Sequence, residues 1–305
     1  MKILITGGNG FLGSTLSKHL LMQGHDVCIS SRNSCRIQDI LERVTFFQTS
    51  DLCITHTEEL IRFCPNIVID CAWNGGNNYS QVNSLDQFRL NMDRSIDLLE
   101  TTKKMEKKPM FIGFGSFAEY GMIRTRAEEH QTETPVTFYG LAKTSVKEMS
   151  RLFCEQNDIK WTWIRPCYIY GPNDVPTRLI PKVIHHLLNK QPLVLNNCNT
   201  TIDYLHVYDF CTAISALIET QKTGVFNICS GNEYRLLDVI SMIQTELGLG
   251  EISYDESFSR DYSPKYICGS NRKIKQETGW NSTIDLHQGI IDTICKTNLL
   301  YERKD

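Results

Sequence analysis

The feature that most constrains the fold is a glycine-rich segment near the start of the chain, ILITGGNGFLG at residues 3–13. An apolar, strand-like run comes first, and a helical pattern follows it. Glycines permit a sharp turn and a close approach of backbone to a pyrophosphate, while a helix N-terminus offers N–H groups and a positive dipole end. The segment therefore predicts a strand–turn–helix unit that binds a dinucleotide. The predicted contacts are Gly7, Gly10, Phe11, Leu12 and Gly13.

Strand and helix patterns alternate along the first half of the chain. Strands are predicted at 2–5, 26–30, 44–48, 66–71 and 110–116, and helices at 10–22 and 85–105. Such alternation is typical of βαβ units, whose right-handed crossovers cover both faces of a parallel sheet. The predicted fold class is α/β, a doubly wound parallel sheet of the Rossmann type.

The second half is less regular and predicts a smaller C-terminal substrate-binding region. Helices are predicted at 139–156, 179–188, 210–219, 236–247 and 286–296, and strands at 161–170, 193–195, 204–207 and 225–229. We predict a dinucleotide-binding domain over residues 1–172, with a return of residues 200–228 to its sheet. Residues 173–305 form the mainly substrate-binding part.

Composition excludes several classes of protein. The 305 residues carry a net charge of −3 without a basic block, so no nucleic-acid partner is expected. No apolar run reaches about 18 residues, so no membrane partner is expected. The 12 cysteines include no C-x-x-C pair, and no signal-peptide pattern is seen. We therefore predict a cytoplasmic protein with reduced thiols and no metal site.

The residues after the second predicted strand bear on the choice of dinucleotide. An acidic side chain at this point accepts the ribose 2′-hydroxyl of NAD. Here the stretch from Ser30 to Asn33 holds no carboxylate, and Arg36 follows one turn later. A serine hydroxyl and an arginine fork suit a phosphate, so Ser31 and Arg32 favour NADP over NAD.

Tyr139 and Lys143 form a Y-x-x-x-K pair, whose spacing places both side chains on one face of a helix. A free tyrosine titrates near pH 10, and lowering its pKa to about 7 takes roughly 4 kcal/mol. One ammonium about 4 Å away supplies energy of that order at an effective dielectric constant near 20. The pair predicts Tyr139 as general acid or base, with Lys143 lowering its pKa and holding the cofactor ribose.

Ser116 follows the strand predicted at 110–116 and completes the candidate catalytic set. Ligands bind beyond the carboxyl ends of strands in a doubly wound sheet. A serine hydroxyl at this edge can donate to the reacting oxygen and stabilise charge on it. We therefore predict the catalytic residues Ser116, Tyr139 and Lys143.

These segments occur in an order that resembles a known family. They are the glycine segment, GSFAEYG at 115–121, the Tyr139/Lys143 pair, and Arg165-Pro166 through Tyr170-Gly171-Pro172. Together they resemble the NAD-dependent epimerase/dehydratase family, the extended short-chain dehydrogenase/reductases, and in particular its nucleotide-sugar 4-epimerases and 4-keto-reductases. The resemblance implies a nucleotide-diphosphate sugar as substrate and a homodimer as assembly.

The resemblance also implies roles for individual residues. The implied cofactor contacts beyond the glycine segment and residues 31–32 are Asp51, Leu52, Cys71, Ala72, Asn91, Tyr139, Lys143 and Pro166. The implied substrate contacts are Ser116, Trp73, Asn173 and Arg260. Phe117-Ala118 replaces the Asp-Glu pair of the family's 4,6-dehydratases, so dehydration is not expected.

The expected function is reduction of a 4-keto group on a nucleotide-linked sugar. Three alternatives stay open. The first is a nucleotide-sugar 4-epimerase that keeps NAD tightly bound. The second is a non-catalytic member of the fold that senses nucleotides or associates with RNA. The third is a reductase of small carbonyl compounds.

Overall fold

Strands and helices alternate from the first residue of the computed structural model, which describes residues 1–49, 56–75, 84–196, 198–248, 251–255 and 264–302. The strands are β1 (Lys2–Thr6), β2 (Asp26–Ser31), β3 (Thr45–Gln48), β4 (Ile67–Asp70), β5 (Met110–Phe114), β6 (Trp161–Pro166), β7 (Tyr168–Tyr170), β8 (Leu193–Asn196), β9 (Thr201–Ile202), β10 (Tyr204–His206), β11 (Gly224–Ile228), β12 (Tyr234–Arg235), β13 (Ile252–Asp255) and β14 (Tyr266–Ile267). The α-helices are α1 (Phe11–Met22), α2 (Thr57–Phe63), α3 (Leu85–Lys103), α4 (Phe138–Gln156), α5 (Leu179–Leu188), α6 (Val207–Thr220), α7 (Leu236–Leu247), α8 (Arg272–Thr278) and α9 (Leu286–Glu302). Short 3-10 helices span Gln38–Arg43 and Phe117–Glu119.

The strands of the first half form the predicted Rossmann-type sheet. Among the described residues it has seven strands in the order β11-β6-β5-β4-β1-β2-β3. The pairs from β6 through β3 are parallel. Strand order reverses beside β1, where β2 lies on one side and β4 on the other, as in a doubly wound sheet. The fold-class prediction is confirmed.

The carboxyl ends of the central strands lie level with one another. Thr6 pairs with Asp70, Asp70 with Gly113, and Gly113 with Trp163. The loops that follow β1, β4 and β5 therefore leave the sheet at one edge. That edge is where doubly wound sheets bind ligands.

The chain folds into two compact units. The first comprises residues 1–121, 132–165 and 214–226, and the second residues 122–131, 166–213 and 227–305. A compact unit need not coincide with a domain, so the predicted division at residue 172 stays a prediction. In the first unit, Leu4, Val68 and Phe111 of the sheet pack with helix residues Leu98 and Val146 in one apolar cluster. Each such fully buried side chain stabilises the fold by about 2 kcal/mol.

The second unit has its own apolar core and small sheets. Helices α5, α7 and α9 contribute Val183, Ile240 and Ile290 to the core, all inaccessible to solvent. The sheets pair β7 with β10, β8 with β13, and β9 with β12 and β14. Within the described ranges, no helix combines the length and apolar content needed to cross a bilayer.

The structure corrects the strand predicted at 161–170. It ends at Pro166, and β7 pairs with β10 in a separate sheet. Proline has no N–H to continue a ladder, and beyond it the N–H of Tyr168 donates to the carbonyl of Asp203. The helix predicted from 210 begins at Val207. Helices α2 and α8 and strands β9, β12, β13 and β14 were not predicted.

Candidate active site

The glycine loop joins β1 to α1 and fits a dinucleotide pyrophosphate. Gly7 has φ +64°, and a Cβ added there would lie 2.7 Å from the Cα of Ala72. A Cβ at Gly13 would lie 2.8 Å from the Cα of Gly8, so the loop and helix meet backbone to backbone. Gly10 is the N-cap of α1, and no side chain among the described residues caps that helix by a hydrogen bond. The first helical turn therefore keeps its N–H groups and dipole for an anion.

Asn9 connects the glycine loop to the end of β2, a link that the sequence analysis missed. Its Oδ1 accepts from the N–H of Arg36 at 2.7 Å, and its Nδ2 donates to Asn33. Ser31 is half-buried at the end of β2, and Arg32 is exposed beside it. Ser31 thus ends β2 and Arg32 follows it, at the edge where the glycine loop lies.

The loop after β4 is held against β1 and α3. The N–H of Ala72, which follows Cys71, donates to Thr6 Oγ1 at 3.2 Å. Buried Asn91 accepts from the N–H of Asn74 at 2.9 Å and donates to its carbonyl at 3.1 Å. The amide of Asn91 therefore fixes the loop that carries residues 71–74, and its contact with the cofactor stays a prediction.

A buried ion pair lies below this loop. Asp70 ends β4. Its carboxylate accepts two hydrogen bonds from Arg94 of α3, at 2.6 and 2.7 Å, and one from the hydroxyl of Thr6 at 2.6 Å. The bidentate geometry compensates for the burial of both charges. Sequence analysis did not single out this pair, although a carboxylate ending an otherwise apolar strand was an available signal.

Ser116 begins the short 3-10 helix after β5. Its Oγ accepts from the N–H of Ala118 at 3.1 Å, while Glu119 Oε1 accepts from the N–H of Ser116 at 2.8 Å. This reciprocal capping box fixes the backbone of the turn. A hydroxyl has one hydrogen and two lone pairs, so the contact with Ala118 leaves the hydrogen of Ser116 for a ligand.

Helix α4 carries Tyr139 and Lys143 next to that turn. Thr137 caps the helix, accepting from the N–H of Gly140 at 3.0 Å. A Cβ at Gly140 would overlap the carbonyl oxygen of Ala118. The glycine between the two predicted catalytic residues therefore lets α4 approach the Ser116 turn.

Lys143 is almost fully buried. Its Nζ donates to the carbonyl of Phe114 at 2.6 Å and lies 3.5 Å from the centroid of the Trp73 ring. The Tyr139 ring centroid is 6.0 Å from the same nitrogen, and it packs against Trp73 at 5.9 Å and 88°. Burial lowers the pKa of Lys143 to about 7. The structure thus brings together Trp73, Tyr139 and Lys143 at the edge that carries Ser116.

Glu119 belongs to a buried charge network that the sequence analysis also missed. Glu119 Oε2 accepts from Arg165 Nε at 2.8 Å, and Arg165 donates to Tyr120 Oη at 2.8 Å and to Glu133. Trp163 Nε1 donates to Glu119 Oε1 at 3.1 Å. Burial raises the pKa of the Glu119 carboxyl, and Arg165 opposes that rise.

Two further predicted residues belong to the second unit. Pro166 ends β6, and Asn173 lies exposed in a turn with φ 65°. Asp51, Leu52 and Arg260 lie outside the described residues. Their roles stay predictions.

Comparisons with known proteins agree with this architecture. The sequence profile described as "NAD dependent epimerase/dehydratase family" matches residues 3–229. GDP-6-deoxy-D-talose 4-dehydrogenase of Aggregatibacter actinomycetemcomitans is 26% identical, covering 98% of this chain and 99% of its own. dTDP-glucose 4,6-dehydratase of Salmonella typhimurium is also 26% identical, and the match covers 96% of this chain and 92% of that protein. The crystal structure of UDP-glucuronic acid 4-epimerase from Bacillus cereus, in complex with UDP-glucuronic acid and NAD, has a TM-score of 0.89 at 24% identity and covers 99% of this chain and 100% of that one. The chain belongs to the NAD-dependent epimerase/dehydratase family.

Proposed function

We propose that the chain is an NAD(P)-dependent oxidoreductase that reduces a 4-keto group on a nucleotide-linked sugar. The observation that carries the proposal is the arrangement of Ser116, Tyr139 and Lys143 at the sheet edge where the glycine loop also lies. A relative named as a GDP-6-deoxy-D-talose 4-dehydrogenase and a similar structure that binds UDP-glucuronic acid and NAD support a nucleotide sugar as substrate.

Each side chain has a distinct role in the proposed reaction. The phenol of Tyr139 donates its proton to the keto oxygen, which becomes the 4-hydroxyl. The hydroxyl of Ser116 donates a hydrogen bond to the same oxygen and stabilises its developing charge. The ammonium of Lys143 stabilises the phenolate that forms on Tyr139. The glycine loop would hold the dinucleotide, which would supply the hydride to the keto carbon.

An assay with purified protein, reduced dinucleotide and a 4-keto nucleotide sugar tests the proposal. We expect absorbance from the reduced nicotinamide to fall as a 4-hydroxy sugar nucleotide forms. A 4-epimerase would instead interconvert two sugar nucleotides with no net change in cofactor. If neither reaction occurs with UDP-, GDP- or dTDP-linked sugars, the proposal is wrong.

We further propose NADP as the preferred dinucleotide, because the end of β2 carries Arg32 and Arg36 and no acidic residue. We expect Arg32→Ala to weaken NADPH binding about tenfold, the loss that removing one charge-assisted hydrogen bond of about 1.4 kcal/mol produces, and to leave NADH binding unchanged. Isothermal titration with both dinucleotides measures this difference. Arg62→Ala removes an exposed arginine from α2 and serves as the charge control. Equal losses for the two dinucleotides would exclude Arg32 as the group that binds the 2′-phosphate, and tighter binding of NADH than of NADPH by the unmodified protein would contradict an NADP preference.

The homodimer is also a proposal. Helices α3 and α4 expose the apolar side chains of Ile96, Leu141 and Leu152, which a partner copy would cover. Sedimentation equilibrium should give twice the monomer mass, and a monomer at all concentrations would contradict a dimer. A cytoplasmic location stays a prediction.

A further inference from the structure

The Trp73 ring contacts both members of the proposed proton-transfer pair. The nitrogen of the Lys143 side chain lies 3.5 Å from its centroid, within cation–π range. The Tyr139 ring stands perpendicular to it, with centroids 5.9 Å apart. Trp73 itself is half-buried and packs against the apolar core of the first unit. The indole thus contacts Lys143 through its ring face and Tyr139 through a perpendicular ring contact.

The Lys143 ammonium has no carboxylate within ion-pair distance in the part of the chain that the structure describes. Its hydrogen bond is to a neutral group, the carbonyl of Phe114. The carboxylate of Asp70 is already held bidentately by Arg94. A buried charge without an ionic partner is costly. The face of the Trp73 ring lies at a distance from which an aromatic ring stabilises an ammonium through the cation–π interaction.

The charges around Lys143 leave its protonation finely balanced. Burial is the largest influence and lowers its pKa to about 7. Asp70 on β4 raises this pKa, and Arg94 on α3 lowers it. Glu119 of the 3-10 helix and Cys71 after β4 raise it further. A contact that favours the cation by even one pKa unit therefore changes how much of Lys143 is charged at neutral pH.

We propose that Trp73 is a positioning residue for the reaction, whose indole face holds the Lys143 ammonium and whose ring confines the Tyr139 ring. This assigns Trp73 to the proton-transfer pair and not to the sugar pocket. The loop that carries it is fixed by Asn91, which binds both backbone groups of Asn74. The inference rests on the proposed function, because the proton step is what Lys143 serves.

Two substitutions separate the π face from simple burial. Trp73→Leu keeps an apolar cover over Lys143 but removes the π face, while Trp73→Phe keeps a smaller one. Without the π face the charged form loses stabilisation, so the pKa of Lys143 falls and its charge is lost at lower pH. For Trp73→Leu we expect the basic limb of the kcat/KM profile to shift to lower pH by about one unit. For Trp73→Phe we expect a smaller shift in the same direction. The KM for the sugar nucleotide should stay unchanged. Identical pH profiles for the two variants, or a raised sugar KM with no shift of the limb, would overturn the inference.

A measurement without substrate keeps this inference separate from the proposed function. The fluorescence of the cofactor-free protein should titrate near pH 7, because an ammonium over the indole perturbs its emission. The transition should vanish in Lys143→Met and Trp73→Leu. It should persist in Trp280→Phe, which removes a tryptophan that donates to Thr212. If the transition behaves this way while no sugar is turned over, the contact of the Lys143 ammonium with Trp73 is confirmed and it is the proposed function that fails. Absence of the transition from the unmodified protein would refute the inference.

Discussion

Tyr139→Phe should lower kcat of the proposed reduction by about 10²- to 10⁴-fold, the usual contribution of a positioned general acid. The substitution removes only the hydroxyl. The ring remains to pack perpendicular to Trp73, so the folded structure should be kept. Because the phenolic proton is needed in the transition state and not for binding, kcat and kcat/KM should fall together. Steady-state rates with a 4-keto nucleotide sugar measure the effect.

Tyr254→Phe provides the matched control, since Tyr254 lies on β13 with its side chain exposed to solvent. It should leave kcat unchanged. The urea concentration that unfolds Tyr139→Phe should match that of the unmodified protein, which would show that the variant is folded. Full turnover by Tyr139→Phe would remove Tyr139 from the proton step and favour a different acid.

Glu119→Ala should lower the free energy of unfolding by about 3 kcal/mol, the lower end of the cost of breaking a buried ion pair, because Arg165 keeps its contact with Glu133. The guanidinium of Arg165 is inaccessible to solvent and would lose the carboxylate 2.8 Å from its Nε. Trp163 would lose its acceptor, and the backbone N–H of Ser116 would lose its cap. Urea denaturation of the cofactor-free protein measures the change.

Two further variants define the origin of that loss. Arg151→Ala breaks half-exposed ion pairs of α4 with Glu148 and Glu155, and should cost less than about 1 kcal/mol. Glu119→Leu combined with Arg165→Met removes both charges, and should be less destabilising than the sum of the two single changes. If Glu119→Ala unfolds at the same urea concentration as the unmodified protein, the pair does not stabilise the fold.

Local patterns were sufficient for much of the fold and for part of the site. The glycine segment forms the predicted tight turn between strand and helix, where a Cβ at Gly7 or Gly13 would meet backbone. The spacing of Tyr139 and Lys143 sets their common helix face wherever α4 packs. Alternating apolar runs predicted most of the strands of the sheet. These features depend on neighbours within about a dozen residues.

Long-range contacts decided what the patterns did not show. The strand predicted at 161–170 divides after Pro166 because the backbone beyond it pairs with β10, about forty residues later in the chain. The Asp70–Arg94 and Glu119–Arg165 pairs each join two separate elements, so local sequence spacing does not predict them. The contact of Trp73 with Lys143 likewise joins two distant segments of the chain, so local spacing does not indicate it.

The sequence alone determined a parallel α/β sheet with a phosphate-sized turn after the first strand. It also determined that a tyrosine and a lysine lie on one helix face. The tertiary structure decided which buried charges are paired. It also decided that Lys143 contacts a carbonyl and an indole, because β1, β4 and β5 end level with one another and their loops meet at one edge of the sheet. The physical reason is that backbone propensity acts over a few residues, whereas the energy of a buried charge depends on every group around it in space.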